Sequence, residues 1–308
     1  MARALPEAEA SPPQARAPDE AFISALPRWV RPIVARLLPQ VPDGSSKRNI
    51  DFLEVFSGQA QLAAAFRDGN YRVATFDIID CPQHDASSLQ GIFHLVKLVL
   101  RIVPGGLVWL APPCQWWTFM ASSVHKRTRA QPAGDTRNPS VRQANQIARV
   151  VAAVLLVAHS RGARVFVEQP RGSHLFRYKY ISRAFRHIFN SQRRRAPWRR
   201  VITFMGAFGG PLVKPLEIWT TARFGPRLAR LPPEPPSETQ RSQYYTVGGD
   251  RSVTGKKKLA ESGAYTRAFG EAVLACYNAS KAAIAAEVAG EAQDPLQAYT
   301  SDESEMEL

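Results

Sequence analysis

Cysteine is scarce. Three thiols in 308 residues, Cys81, Cys114 and Cys276, exclude a disulfide-stapled scaffold, and none stands in the CxxC or Cys/His spacing of a zinc site. Long apolar runs are also lacking: the longest, Val150 to Ala158, falls well short of the roughly twenty residues that a membrane span requires. The first residues have no charged start followed by an apolar core, so no secretory leader is expected. Glu7, Glu9, Asp19 and Glu20 count against an organelle transit peptide. Acid is in short supply too, with 26 Asp+Glu against 40 Lys+Arg, a net +14 and a pI near 10.1. Residues 281–308 hold one lysine and seven acids, so the residues before them carry +20. That balance argues against an anionic-surface protein and favours a polyanionic partner, nucleic acid before membrane. The expectation is a soluble, intracellular, basic chain with no metal site.

What is present falls into three parts. Half of the first twenty residues are Ala or Pro, and 1–48 reads as a mostly disordered arm in which Pro27, Pro32, Pro39 and Pro42 forbid one long helix. Ordered periodicity runs from 49 to about 280, broken by a Pro-rich insertion at 226–240. The remainder, 281–308, reads as an acidic, frayed tail. Within the body, short apolar runs alternate with helical segments. Strands are expected at Ile50–Phe56, Arg72–Asp77, Gly106–Leu110, Arg164–Glu168, Val201–Met205 and Leu216–Thr220. Helices are expected at Gln59–Arg67, Ile92–Ile102, Pro139–Ser160 and Tyr180–Asn190, with Asn138 as an N-cap and Gly69 and Gly162 as stops. Strands separated by crossover helices predict an α/β fold, a mostly parallel sheet flanked by helices, with a small C-terminal extension. Ligands in such sheets lie beyond the carboxyl ends of the strands.

Chemistry-bearing residues stand at those ends. The first strand runs into Phe56-Ser57-Gly58-Gln59, a turn opening a helix whose free N–H groups suit a ligand. The second ends at Asp77, about twenty residues on, where nucleoside-binding units place a ribose-binding carboxylate. The third ends in Pro112-Pro113-Cys114-Gln115-Trp116-Trp117. A thiol there can serve as a nucleophile in a site that lowers its pKa, or pack as a small apolar residue, the reading that suits Cys81 and Cys276. Adjacent tryptophans rarely both bury, so one is expected to face a cleft or stack on a base. The fourth strand ends in Glu168-Gln169-Pro170, an acid that must be paired or used. Residues 171–200 contain ten Lys+Arg, no acid, and Phe176, Tyr178, Tyr180, Phe185 and Trp198. Arg171, Arg177, Lys179, Arg193, Arg194, Arg195, Arg199 and Arg200, with Trp116 and Trp117, are therefore the candidate nucleic-acid contacts.

In order and spacing from about 50 to 205, these residues resemble the DNA cytosine-5 methyltransferase family. Its cofactor turn resembles Phe56-Ser57-Gly58, its ribose-binding acid Asp77, a later cofactor-side acid Asp85, and its Pro-Cys-Gln loop Pro113-Cys114-Gln115. Its Glu-Asn-Val is matched as Glu168-Gln169-Pro170, and its Arg-x-Arg element as Arg193 and Arg195. Met205-Gly206-Ala207-Phe208-Gly209 with Lys214-Pro215 is similar to divergent methylase-like domains, some of them associated with retroelements. The resemblance implies a Rossmann-type methyltransferase fold, S-adenosylmethionine in a pocket made by Phe56, Ser57, Gly58, Gln59, Asp77, Asp85 and Pro113, a nuclear setting, and DNA rather than RNA as partner. It further implies that the Cys114 thiolate attacks C6 of a cytosine, while Glu168 protonates or hydrogen-bonds N3 and C5 takes the methyl group. This sequence departs from the family at Gln59-Ala60, at Gln169-Pro170 and in the short Pro-rich Ala222–Gln243 stretch where the family has a target-recognition region. The alternatives are a degenerate domain that binds nucleic acid without chemistry, and a methyltransferase acting on RNA or another substrate.

Overall fold

The computed structural model describes residues 48–191, 198–247, 253–255, 258–259 and 263–288, together with Arg28, Arg31, Pro32 and Ala35. The rest of the N-terminal arm, Arg193–Arg195 and the acidic stretch after 288 lie outside the described residues. The body is built on a six-stranded sheet. Its strands are β1 (Ile50–Val55), β2 (Val73–Phe76), β3 (Ile102–Leu110), β4 (Arg164–Pro170), β5 (Arg199–Phe204) and β6 (Pro215–Thr220), in the order β2-β1-β3-β4-β6-β5. The first four are mutually parallel. β6 is antiparallel to both β4 and β5, so β5 points the same way as β4. The five principal helices are α1 (Gln61–Asp68), α2 (Leu89–Leu100), α3 (Pro139–Ser160), α4 (Lys179–Ser191) and α5 (Arg267–Val288). A two-stranded ribbon, β7 (Tyr245–Val247) with β8 (Val253–Gly255), precedes α5.

Alternation along the strands divides the core in two, because successive side chains of a strand leave opposite faces of the sheet. Leu53, Val55, Val108, Leu110, Val165 and Val167 share one cluster with residues of α2, α3 and α4. Phe52, Leu107, Trp109, Phe166, Leu216 and Ile218 share the other with Leu62, Phe66, Phe269 and Val273 of α1 and α5. The result is a Rossmann-like three-layer α/β fold, with two or three helices on each side of a parallel-dominant sheet, consistent with the methyltransferase-type architecture expected. Asn138 caps α3 by accepting from the Ser140 N–H, and Pro139 occupies its first turn. By length and composition α3 would be enough to cross a membrane, but 72% of its most apolar stretch is buried inside the fold, where it packs against α2 and α4. C-terminal helix α5 continues to Val288, so the first residues of the expected tail are helical.

Candidate functional site

The turn after β1 is strained. Phe56, Gly58 and Ala60 have φ of 61°, 51° and 51°, the left-handed region that costs a non-glycine residue about 1 kcal/mol or more. Nothing stands within 4 Å of where a Gly58 Cβ would be, so its backbone faces open space. Asp77 holds this turn: its Oδ2 accepts from the Gly58 N–H at 2.8 Å and its Oδ1 from the Ile79 N–H at 2.9 Å. Each oxygen keeps a lone pair for a ligand. The N-terminus of α1 is not open as the sequence suggested. Ala60 supplies no side-chain cap, and Glu54, one residue before the end of β1, accepts from the Ala63 N–H at 2.8 Å instead. Glu54 is fully buried, and desolvation, opposed by the Ala63 bond and reinforced by Asp80 and Asp77, raises its carboxyl to about 8.

A cleft of about 360 Å³ opens beside the turn, within the range of small-ligand pockets. Phe56, Asp77, Asp85 and Pro113 line it, together with Ile78, His84 and Trp116. Asp85 is oriented by the Ser87 N–H and Oγ, both donating to its Oδ1 at 2.8 and 2.7 Å. Four of the seven expected cofactor residues thus meet. Gly58 adjoins the cleft through its bond to Asp77. Ser57 is buried against Asp80, and Gln59 is exposed; neither contributes lining.

Next to this cleft the structure brings Cys114 and Glu168 together. Leu110 pairs with Val167 across the parallel β3–β4 ladder, so the two loops leave the sheet side by side. Gln169 ties them: its Nε2 donates to the Pro112 carbonyl at 2.6 Å, and its Oε1 accepts from Ser173 Oγ at 3.0 Å. The residue that departs from the family's asparagine is thus what fastens the cysteine loop to the acid. Burial pushes the Cys114 thiol up, the Glu168 charge adds to it, and the Lys214 ammonium works the other way. Burial likewise raises Glu168, against Lys214 and a 2.5 Å hydrogen bond donated by the Tyr265 hydroxyl to Oε2. Glu168 Oε1 is buried with no hydrogen-bond partner among the described residues. No salt bridge pairs Glu168 among the described residues.

Lys214 and Tyr265 are the functional neighbours that sequence reasoning did not place. Lys214 sits at φ 34°, with its Nζ donating to the Gly263 carbonyl at 2.7 Å. The sequence marked it only as part of the Lys214-Pro215 element before β6, with no role at the acid.

The nucleic-acid residues need correcting. Trp117 is 1% exposed, stacked beneath the Arg127 guanidinium at 3.6 Å and packed on Tyr178; it has no face left for a base. Trp116 is half-buried and lines the small-ligand cleft. Tyr178, Phe185 and Trp198 are core residues as well, Phe185 lying with Ile181, Ala184 and Ile188 on the inward stripe of α4. Nor does the charge form one wall. Arg171, Arg177 and Lys179 are exposed after the carboxyl end of β4. Arg199 and Arg200 open β5, level with Phe166 and Val167 through β6, some three or four residues or about 10–13 Å below that end. Arg200 is also paired with Glu217 at 3.0 Å. Arg193, Arg194 and Arg195 lie outside the described residues.

No family model matches the sequence, and no curated protein matches it. Among solved structures, the Entamoeba histolytica methyltransferase EhMeth is similar at a TM-score of 0.36 and 14% identity, over 56% of this chain and 52% of that one. The chain spans about half the length of that neighbour. A likeness so slight carries no weight on function, which rests on the residues themselves.

Proposed function

We propose that this chain is an S-adenosylmethionine-dependent methyltransferase acting on C5 of a cytosine in nucleic acid, DNA before RNA, through a covalent adduct of Cys114. The observation that carries it is a cleft and a thiol–acid pair at one sheet edge: the strained-turn cleft with Asp77 and Asp85, whose wall includes Pro113 and Gln115 on either side of the half-buried Cys114, and the buried Glu168 acting on that thiol. The residues fit such a cofactor. Asp77 keeps acceptor capacity for ribose hydroxyls, Gly58 leaves the turn open to close approach, and Ile78 and Trp116 offer apolar surface to an adenine. When bound, S-adenosylmethionine supplies an electrophilic methyl group.

The chain's own residues do the rest. Cys114 Sγ, as thiolate, attacks C6 of the ring, and the electron pair displaced from the C5–C6 bond makes C5 nucleophilic; once C5 carries the methyl group, loss of the C5 proton to solvent and departure of the Cys114 thiolate from C6 restore the double bond. Glu168, held toward its neutral form by burial, offers a proton from Oε1 to N3, where negative charge develops. A neutral Glu168 also stops opposing the thiolate, leaving the Lys214 ammonium to favour it. Incubation with labelled S-adenosylmethionine and single- or double-stranded DNA or RNA tests the reading. Transfer lost in Cys114→Ala and reduced in Glu168→Gln supports it, and transfer to none of these substrates rejects it.

The raised Cys114 thiol favours a second reading, a catalytically degenerate domain that binds nucleic acid. On that reading, binding is salt-sensitive and unchanged in Cys114→Ala.

A further inference from the structure

We infer that Tyr265 is a positioning residue for Glu168: the chain from the Trp109 indole through the Tyr265 hydroxyl to Glu168 Oε2 confines the acid's proton to Oε1. The inference deepens the reading just given and rests on it for its catalytic meaning.

The polarity follows from donor chemistry. An indole N–H can only donate, whereas a phenol both donates and accepts. Trp109 Nε1 lies 3.0 Å from the Tyr265 oxygen, so that oxygen accepts there. The single phenolic proton then points along the other contact, 2.5 Å to Glu168 Oε2. Oε2 is therefore an acceptor in either protonation state of the acid. A proton taken up by Glu168 resides on Oε1, the buried oxygen with no partner among the described residues. Without the indole, the phenol could equally turn and accept, and the acid's proton would be shared between both oxygens.

Packing makes the relay rigid. Trp109 is fully buried on the face shared with Phe166, stacked on it at 4.9 Å. The Tyr265 ring stands edge-on to Trp109 at 6.0 Å and contacts Phe269 of α5 at 5.3 Å. Two residues earlier, Gly263 holds the Lys214 ammonium, so one short segment before α5 fixes both the acid and the cation of the site. The phenol does not itself lose a proton, since burial and the Glu168 charge push its pKa well up. The charged and titratable groups around the acid are Lys214, Cys114 and Tyr265, with Glu54 acting on Tyr265 from β1.

Infrared spectroscopy of the unliganded full chain tests this without any substrate. The Glu168 carboxyl C=O band is identified as the band that disappears in Glu168→Gln and is followed from about pH 4 upward. In Tyr265→Phe the carbonyl oxygen loses its donor, so the band moves to higher wavenumber and its titration midpoint rises. In Trp109→Phe, available should the first variant not fold, the phenol is free to turn and the band splits. A band unmoved in position and midpoint in the folded variants overturns the inference. Methyl transfer is scored separately: where the wild type is active, Tyr265→Phe lowers kcat about tenfold with KM for S-adenosylmethionine within about twofold. A shifted band in a chain that transfers no methyl group upholds the positioning role and rejects the methyltransferase reading.

Discussion

Replacing Gln169 by the asparagine of the resembled family should damage this protein. Gln169 is 1% exposed and makes two buried bonds, to Pro112 O at 2.6 Å and from Ser173 Oγ at 3.0 Å. Asparagine is shorter by one C–C bond, about 1.5 Å. Its amide nitrogen would stop roughly 4 Å from the Pro112 carbonyl, outside hydrogen-bond range. Stranding that buried carbonyl costs about 1–3 kcal/mol and the second bond about 0.5–1.5 more, so a loss of about 2–4 kcal/mol is expected. For a domain of this size that lowers Tm by on the order of 10 °C. Thermal melts of wild type, Gln169→Asn and Gln169→Ala measure it, and the two variants should fall together. The cysteine loop is freed at the same time, so adduct formation by Cys114 should fall more steeply than cofactor affinity. An Asn variant melting within about 2 °C of wild type would refute the claim that Gln169 fastens the two loops.

Three further outcomes follow from the geometry. Arg127 is buried, donates to Trp116 O, Pro132 O and Asn145 Oδ1, and has its pKa lowered to about 10 by burial. Arg127→Met strands those acceptors and should cost about 3–5 kcal/mol by urea denaturation. Glu54, raised to about 8, is protonated in the folded chain over a range where the unfolded chain is already ionised, so it makes stability fall as pH rises from about 4.5 to 8. Glu54→Gln keeps an acceptor for Ala63 and should flatten that decline by on the order of 4 kcal/mol, read from denaturation at several pH values. Neutralising Arg177 and Lys179 should weaken nucleic-acid binding and reduce its salt slope by about 0.7–0.9 for each phosphate no longer neutralised, whereas neutralising Arg199 and Arg200 should leave the slope unchanged.

Most of the fold was legible because local rules and global structure agree. Asn138-Pro139 marks the start of α3 and Gly162 lies just past its end, and the apolar runs at 50–56 and 164–168 fall on β1 and β4, whereas β3 starts at Ile102, four residues before the expected strand and within the expected helix. Direction was not legible: the run Leu216–Thr220 looks the same whichever way it pairs, and only the tertiary structure makes β6 antiparallel. Cys114, Glu168 and Asp77 could be placed because strand ends converge in any parallel sheet. Tyr265 could not, since 97 residues separate it from Glu168 and no local pattern links them. The aromatics of 171–200 were misread for a related reason. Composition counts residues in a window, but the helical stripe decides which of them meet solvent, and in α4 the arginines do.

The most direct measurement of the central claim is mass spectrometry of the chain after incubation with S-adenosylmethionine and 5-fluorocytosine-containing oligonucleotides. The fluorine blocks release from C5, so a cysteine that attacks C6 stays attached. A covalent adduct mapping to Cys114, absent in Cys114→Ala and diminished in Glu168→Gln, is the predicted result. A folded, cofactor-binding chain that forms no adduct, or forms one elsewhere than Cys114, would contradict it.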